Sequence, residues 1–173
     1  MNVFPTRILL ASDGSESAAH ATEVAVELSK KTNSELHVLY VGEYSIGEYS
    51  TASLVPQAAD PAWVVQENLA SLEKKGQQFE QVARQTLDAE VQQVREVGGT
   101  VTQAHLRLGT PAAEIVELAE ELEVGLIVVG SRGLGGIRRA LIGGVADSVV
   151  RHAHCLVLVV RKEEESAQDA SGT

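Results

Sequence analysis

The sequence is poor in aromatic residues and in cysteine, and it contains no long apolar run. Phe, Trp and Tyr make up 3 % of its 173 residues, so it lacks the aromatic platforms on which single-stranded nucleic acids stack. The single cysteine, Cys155, excludes an internal disulfide and is typical of a reducing compartment. The apolar runs are too short to cross a bilayer, and the first residues do not resemble a signal peptide. We therefore expect a cytoplasmic protein.

Basic residues are scarce relative to acidic ones. The chain contains 14 Lys and Arg against 24 Asp and Glu, which gives a formal net charge of −10 at pH 7. Because such a chain repels phosphate backbones and anionic lipid surfaces, we expect neither nucleic acid nor membrane as a partner. Apolar residues reach 44 %, enough for a core of Val, Leu, Ile and Ala. We expect one domain over residues 1–161 and a disordered acidic tail over 162–173.

Short apolar runs alternate along the chain with segments of helical periodicity. The apolar runs that predict strands cover 8–11, 36–41, 126–129 and 156–160. Residues 101–106 alternate weakly between apolar and polar side chains and predict the third strand. The segments that predict helices cover 18–28, 62–97, 111–122 and 137–152, with Gly76 as a candidate break in the second. Residues 42–60 follow no period and predict a long loop.

This alternation predicts a parallel sheet covered by helices on both faces. If the sheet winds outward in both directions from the first strand, the first and fourth strands become neighbours. Ligands of such sheets bind beyond the carboxyl ends of the strands at this reversal point. Because Asp13 follows the first strand and Gly130 ends the fourth, we expect these two residues to lie together.

Glycine and arginine are concentrated after the fourth strand. Six glycines lie between Gly130 and Gly144, and their backbones can turn tightly and direct N–H groups towards an anion. Between Gly125 and Val160 the one acid, Asp147, is outnumbered by four arginines. Helix capping would explain two such glycines, but six between a buried strand and a helix favour a phosphate site. The loop is neither a Walker A motif nor a dinucleotide fingerprint.

Other reactive side chains fit no known arrangement. A receiver domain needs an aspartate at the end of the third strand, where this chain has Leu106, Arg107, Leu108 and Gly109. We expect no catalytic residue and no metal site built from protein side chains. The residues weighed as metal ligands, and expected to diverge, are His152, His154 and Cys155. The histidines isolated in sequence, for which packing or surface roles are expected, are His20, His37 and His105.

The glycine spacing of Gly130, Gly133 and Gly143 resembles the motif of the universal stress protein family, in its ATP-binding branch. The resemblance covers about residues 5–161 and extends through segment 143–155. It implies a doubly wound α/β fold of five parallel strands in the order 3-2-1-4-5, similar to the adenine nucleotide alpha-hydrolases. It also implies ATP as the ligand, with Mg²⁺, and a homodimer formed through Leu156–Val160.

The resemblance further implies which residues contact the nucleotide. Adenine would lie near Ala11, Ser12, Asp13 and Val41. Val129 would be a further contact of the nucleotide. Ribose and phosphates would lie on Gly130, Ser131, Arg132, Gly133, Gly143, Gly144, Val145 and Ala146. The family's nucleotide binders usually have Ser or Thr where this chain has Gly144, and often where it has Ala146. The loss of two hydroxyl donors weakens the binding of the terminal phosphate. ADP, AMP or another anion therefore becomes a stronger candidate for the ligand.

Three functions are compatible with this chain to different degrees. The favoured one is a dimeric, nucleotide-binding stress-response protein whose occupancy is read by an unknown protein partner, with at most slow ATP hydrolysis. The alternative is an interaction scaffold that no longer binds nucleotide. An enzyme that adenylates or cleaves at the α-phosphate would need a serine-rich glycine loop after the first strand, and Ser12–Ser15 is too short for it.

Overall fold

The strands and helices alternate along the chain as the apolar pattern predicts. The computed structural model describes residues 5–43, 61–131 and 144–161, without the side chains of 61–68. Its elements are β1 (Arg7–Ser12), α1 (Glu16–Thr32), β2 (Glu35–Gly42), α2 (Pro61–Glu96), β3 (Gln103–Leu108), α3 (Pro111–Glu121), β4 (Leu126–Gly130), α4 (Gly144–His152) and β5 (Leu156–Val160). Across these described residues, no helix combines the length and apolar character needed to span a membrane.

The five strands form one parallel sheet in the order β3-β2-β1-β4-β5. The central strand β1 pairs on one side with β2 and on the other with β4, and Ala11 is the partner of both Leu39 and Val129. The predicted fold class and strand order are therefore confirmed. The reversal of winding direction lies between β1 and β4, where ligands of such sheets bind.

Alternate side chains of the strands pack against different helices. Ile8 and Leu10 of β1 join a core with α1 and α2, while Leu9 joins a second core with α3 and α4. All three leucine and isoleucine side chains are fully buried. This burial on both faces is the physical reason that the strands read as continuous apolar runs.

Some boundaries differ from the sequence prediction, and others lie outside the described residues. The third strand was expected at 101–106 and is formed by Gln103–Leu108, because Thr102 bonds to Leu36 before the strand begins. The expected break at Gly76 is wrong, since α2 is continuous over 36 residues. The loop predicted at 42–60 begins too early, because Gly42 ends β2. Its residues 44–60, the start of the fourth helix before Gly144 and the tail at 162–173 lie outside the described residues.

Helix α2 is longer than the sheet that it covers. At 1.5 Å per residue it measures about 54 Å. Its carboxyl-terminal half packs on the sheet through the buried Ala83, Leu87 and Val94. Leu69 and Leu72, nearer its amino terminus, are 57 % and 42 % exposed. A single interior glycine costs a helix only about 1 kcal/mol relative to alanine, so α2 continues through Gly76.

Gly130 brings the end of β4 into contact with the first turn of α1. A Cβ at this position would lie 2.9 Å from the backbone carbonyl carbon of Ser17 and 3.0 Å from the amide nitrogen of Ala18. Ser15 begins this helix, and its hydroxyl accepts a hydrogen bond from the Ala18 N–H at 3.2 Å. Packing therefore requires glycine at position 130 whether or not a phosphate binds there.

Replacing Gly130 with alanine is expected to lower the free energy of unfolding by about 1–3 kcal/mol, because overpacking pushes α1 away from β4. Gly144→Ala is the matched control, since a Cβ there meets nothing within 4 Å and alanine favours the helix. Urea unfolding without ligand measures both. Equal stability of the Gly130→Ala variant and the wild type would contradict this account.

Two histidines that are isolated in sequence form a pair in the sheet. The ring atoms His37 Nδ1 and His105 Nε2 are 3.1 Å apart, and the rings stack with centroids 5.4 Å apart. The other nitrogen of His37, Nε2, is buried without a hydrogen-bond partner and lies 3.8 Å from Glu35 Oε2. Burial lowers the pKa of both histidines, and the charge of His37 lowers that of His105 further.

Because both folded-state pKa values are lowered, the unfolded chain binds protons more readily than the folded one. The pair's contribution to stability is therefore expected to be lost as the pH falls below about 6.5, the ordinary histidine pKa. Thermal unfolding followed across this range should show a steeper acid loss for the wild type than for His37→Leu. His154→Asn, at an exposed position, is the control. Identical pH profiles for wild type and His37→Leu would rule out this contribution.

Candidate functional site

The carboxyl ends of β1 and β4 bring together the residues that the sequence singled out. Ala11 and Val129 are Cα partners, so the chain reaches Asp13 and Ser131 two residues later on both strands. Gly130 touches the start of α1 at the same edge. The expectation that Asp13 and Gly130 lie together is met by this register.

Asp13 is held in place by the turn that links β1 to α1. Its Oδ1 accepts a hydrogen bond from the Ser15 N–H at 3.0 Å. Gly14, between them, has φ of 77°, a left-handed conformation that costs glycine little. Ser15 then caps α1. The turn therefore presents Asp13 at the sheet edge in a defined orientation.

Ser12 points its hydroxyl into the protein rather than towards the sheet edge. It donates a hydrogen bond to Oε2 of Glu90, a residue of α2 that is only 5 % exposed. Burial raises the pKa of Glu90, the hydrogen bond from Ser12 lowers it, and the negative charge of Asp13 raises it. A ligand at this edge would meet the backbone of Ser12, because its side chain is engaged on the α2 side.

Glu90 was missed by the sequence analysis, although the sequence contains a signal for it. It follows Ala83 and Leu87 and precedes Val94 at helical spacing, so it occupies a core position of α2. A carboxyl group in an apolar stripe needs a polar partner. Nothing in the linear sequence identifies that partner as Ser12, 78 residues away.

The predicted contacts on the opposite face of the sheet are mostly apolar. Ala11 and Val41 are half-buried and Val129 is buried, and all three join the core with α3 and α4. Ser131 is buried, and its N–H donates to the Val160 carbonyl at 2.8 Å. The Ser131 amide is therefore already used in the sheet.

Helix α4 begins at the same end of the sheet and contains the last predicted contacts. Gly144 and Val145 are exposed in its first turn, whereas Ala146 is buried against the second core. The first N–H groups of a helix lack internal partners and attract anions. The side chain of Ala146 faces the core, so its contribution to a ligand is confined to the backbone. Arg132, Gly133 and Gly143 lie outside the described residues.

The charged side chains of α4 and of the turn that leads into β5 pair with one another, and most of them lie towards the amino end of the strands, away from the candidate site. Asp147 Oδ2 accepts a hydrogen bond from Arg151 Nε at 2.9 Å within α4. His154 Nε2 lies 3.2 Å from Glu120, and His152 contacts the Ser148 carbonyl. Cys155 is half-buried, and burial raises its pKa. In the part of the chain that the structure describes, no three His, Cys, Asp or Glu side chains converge to hold a metal ion.

Comparison with known proteins relates this arrangement to one family. The model of the Universal stress protein family matches residues 5–161. Universal stress protein MJ0531 of Methanocaldococcus jannaschii is 31 % identical over 159 residues, 92 % of this chain and 84 % of its own length. Universal stress protein YxiE of Bacillus subtilis is 32 % identical over 155 residues, covering 90 % and 98 % of the two chains.

Solved structures agree with this assignment. UspA from Lactobacillus plantarum superposes with a TM-score of 0.61 at 26 % identity, over 90 % of this chain and 97 % of that one. Three structures with 20–23 % identity share the fold and hold adenine nucleotides. They are a universal stress protein with cAMP (TM-score 0.56, coverage 90 % and 96 %), one from Archaeoglobus fulgidus with dAMP (0.55, 90 % and 97 %) and one from Arabidopsis thaliana with AMP (0.54, 95 % and 97 %). From the family match and the curated relatives together, the chain belongs to the universal stress protein family.

Proposed function

We propose that this protein binds an adenine nucleotide at the carboxyl edge of β1 and β4, and that it acts as a regulatory switch in a stress response. The observation that carries the proposal is the register that brings the Asp13 turn beside Gly130 at the reversal point of the sheet. Ligands of open parallel sheets commonly bind at such a reversal point, which supports the proposal. The relatives that hold cAMP, dAMP and AMP support an adenine nucleotide as the ligand class.

The residues of the edge divide into an apolar and a polar part. Ala11, Val41 and Val129 offer an apolar surface suited to adenine, with Asp13 beside the nucleotide. The N–H groups of the first described turn of α4, from Gly144 onwards, would suit the phosphates in this proposal. In this proposal the glycine-rich loop between β4 and α4 completes the phosphate site.

ATP with Mg²⁺ is the proposed physiological form. Mg²⁺ in nucleotide sites is commonly held by phosphate oxygens, water and one or two carboxylates. Asp13 is the carboxylate at this edge, and one of its oxygens is already engaged by the Ser15 N–H. The Asp13 carboxylate and the phosphates would hold the cation together, which adds charge neutralisation between Asp13 and the nucleotide.

A nucleotide with fewer phosphates is the second candidate, and a specific feature favours it. Gly144 and Ala146 carry no hydroxyl group, and the side chain of Ala146 is turned into the core. A third reading, an interaction scaffold without nucleotide, predicts that the edge retains none of these ligands.

Equilibrium dialysis against millimolar ATP with Mg²⁺ tests the proposal. We expect the wild type to retain ATP, and Gly144→Ser to bind it about two- to tenfold more tightly, because one added hydrogen bond contributes about 0.5–1.5 kcal/mol. The substitution fits, since a Cβ at Gly144 meets nothing within 4 Å.

Gly144→Ala is the control, because it adds the same Cβ without a hydroxyl group and should leave the affinity near that of the wild type. Dialysis with AMP in parallel ranks the ligands. If the wild type retains neither ATP nor AMP, the nucleotide proposal fails and the scaffold reading replaces it.

We also propose that occupancy is read through a homodimer formed by β5. This strand lies at the edge of the sheet, where it presents backbone groups that a second copy can pair with. Leu156, its first residue, is 64 % exposed, and Val150 on the preceding helix is 49 % exposed. An edge strand with adjoining exposed apolar side chains is the kind of surface that a twofold contact buries.

Leu156→Lys is expected to convert the dimer to a monomer, because it places a charge in the buried contact. Sedimentation equilibrium measures the mass directly. Leu69→Lys is the matched control, since Leu69 is a leucine of similar exposure on α2 and lies away from β5. Loss of the dimer in the Leu69 variant alone would place the contact on α2 instead.

A further inference from the structure

The amino-terminal half of α2 projects beyond the sheet. Phe79 marks the level at which the helix leaves it, because a Cβ on Gly42, the last residue of β2, would lie 3.1 Å from the Phe79 ring. The same Cβ would lie 2.9 Å from Leu108, which ends β3. Since α2 begins at Pro61, about 27 Å of helix extends past the carboxyl ends of these strands at 1.5 Å per residue. The packing of its carboxyl-terminal half on the sheet does not require this extension.

An apolar stripe runs along the projecting part. Its residues recur at alternating intervals of three and four and so share one face of the helix: Leu69, Leu72, Gly76 and Phe79. The stripe continues into Ala83, which is buried on the sheet, whereas Leu69 and Leu72 are exposed. A Cβ on Gly76 would meet no atom within 4 Å, so there is room above this glycine for the side chain of a partner.

The stripe is as narrow as the contact line of a two-helix coiled coil. Its residues occupy only the a and d positions of a heptad that starts at Leu69. The e and g positions beside it, as far as residue 80, are charged, with Glu73 and Glu80 on one side and Lys75 on the other. A helix that covers a sheet presents a wider apolar face. A narrow stripe with charged flanks is typical of a helix that pairs with one other helix.

We propose that the projecting half of α2 is the docking surface for an amphipathic helix of a partner protein, which carries its own apolar stripe and basic flanking residues. The basic flanks follow from the charges: acids outnumber bases beside the α2 stripe, and the whole chain carries a net charge of −10, which attracts a basic helix. Glu80 already pairs with Arg84 at 2.7 Å, so Glu73 is assigned the main charge contact.

The docking surface lies at the same end of the molecule as the candidate site. The helix leaves the sheet at the carboxyl ends of β2 and β3, and its Glu90 accepts a hydrogen bond from Ser12 at the carboxyl end of β1. A helix docked on the stripe would therefore lie at the end of the sheet where the nucleotide is proposed to bind. Docking itself does not depend on the nucleotide, so it can be tested without one.

The test measures by fluorescence anisotropy how tightly the full chain binds a labelled designed peptide. The peptide has three heptads with Leu at a and d and Lys at e and g. We expect the wild type to bind it. Leu69→Lys and Leu72→Lys should each bind it at least about tenfold less tightly, because each substitution places a charge in the buried contact.

Val82→Lys is the matched control for these variants. Val82 is an apolar residue of α2 that is 60 % exposed, and the substitution adds the same charge. One residue before the buried Ala83, it is turned about 100° away from that position on the helix. Its affinity for the peptide should stay within about twofold of the wild type.

A charge reversal tests the flank of the stripe. At low salt, Glu73→Lys should weaken binding of the basic peptide by about two- to fivefold. A second peptide with Glu at e and g should bind the wild type less tightly than the first and should bind Glu73→Lys more tightly than the wild type. Equal affinity of the two peptides for the wild type would overturn the basic partner.

Other occupants of the stripe give different results. If the wild type binds neither peptide, the docking surface is wrong. A lower mass of Leu69→Lys and Leu72→Lys in sedimentation equilibrium would show that a second copy of this chain covers the stripe. Urea midpoints of these two variants well below that of Val82→Lys would show that a segment of this chain covers it. Either result would overturn the partner helix, which predicts wild-type mass and similar midpoints for all three variants.

Discussion

The close contact between β4 and the first turn of α1 is the constraint on which the edge of the sheet depends. It requires a residue without a Cβ at position 130, because the backbone of Ser17 and Ala18 occupies the space that a side chain would need. The same approach brings the capped start of α1, and with it the Asp13 turn, next to the end of β4. A glycine that reads as a ligand contact is thus also a packing requirement.

The fold could be predicted from the sequence because its strands are buried on both faces. Continuous apolar runs such as Leu126–Val129 do not alternate between apolar and polar residues, so they predict strands that are covered on both faces. The helices between these strands then allow few topologies. The errors fall where local pattern is weak. The expected strand at 101–106 began too early because Thr102 uses its backbone and hydroxyl group to bond Leu36 before the ladder starts. Gly76 did not end α2, since a single interior glycine costs a helix little.

The site was predicted less completely because its side chains come from distant elements. Asp13 and Gly130 were expected together, since strand order alone brings strand ends to one edge. The Ser12–Glu90 bond and the His37–His105 pair join residues 78 and 68 positions apart. No spacing rule identifies such partners, although a polar residue at a core position indicates that some hydrogen-bond partner must lie close to it. The glycine-rich loop was recognised from its composition, and most of it lies outside the described residues.

A chain with net charge −10 that binds an anion must create a local potential of the opposite sign. Within α4 the positive charge of Arg151 is paired with Asp147. The Ser131 N–H is also occupied, because it donates a hydrogen bond within the sheet. In the proposed nucleotide site, the first N–H groups of α4 and the glycine-rich loop with its Arg132 are the groups that would attract the phosphates, because the rest of the chain carries an excess of acidic residues.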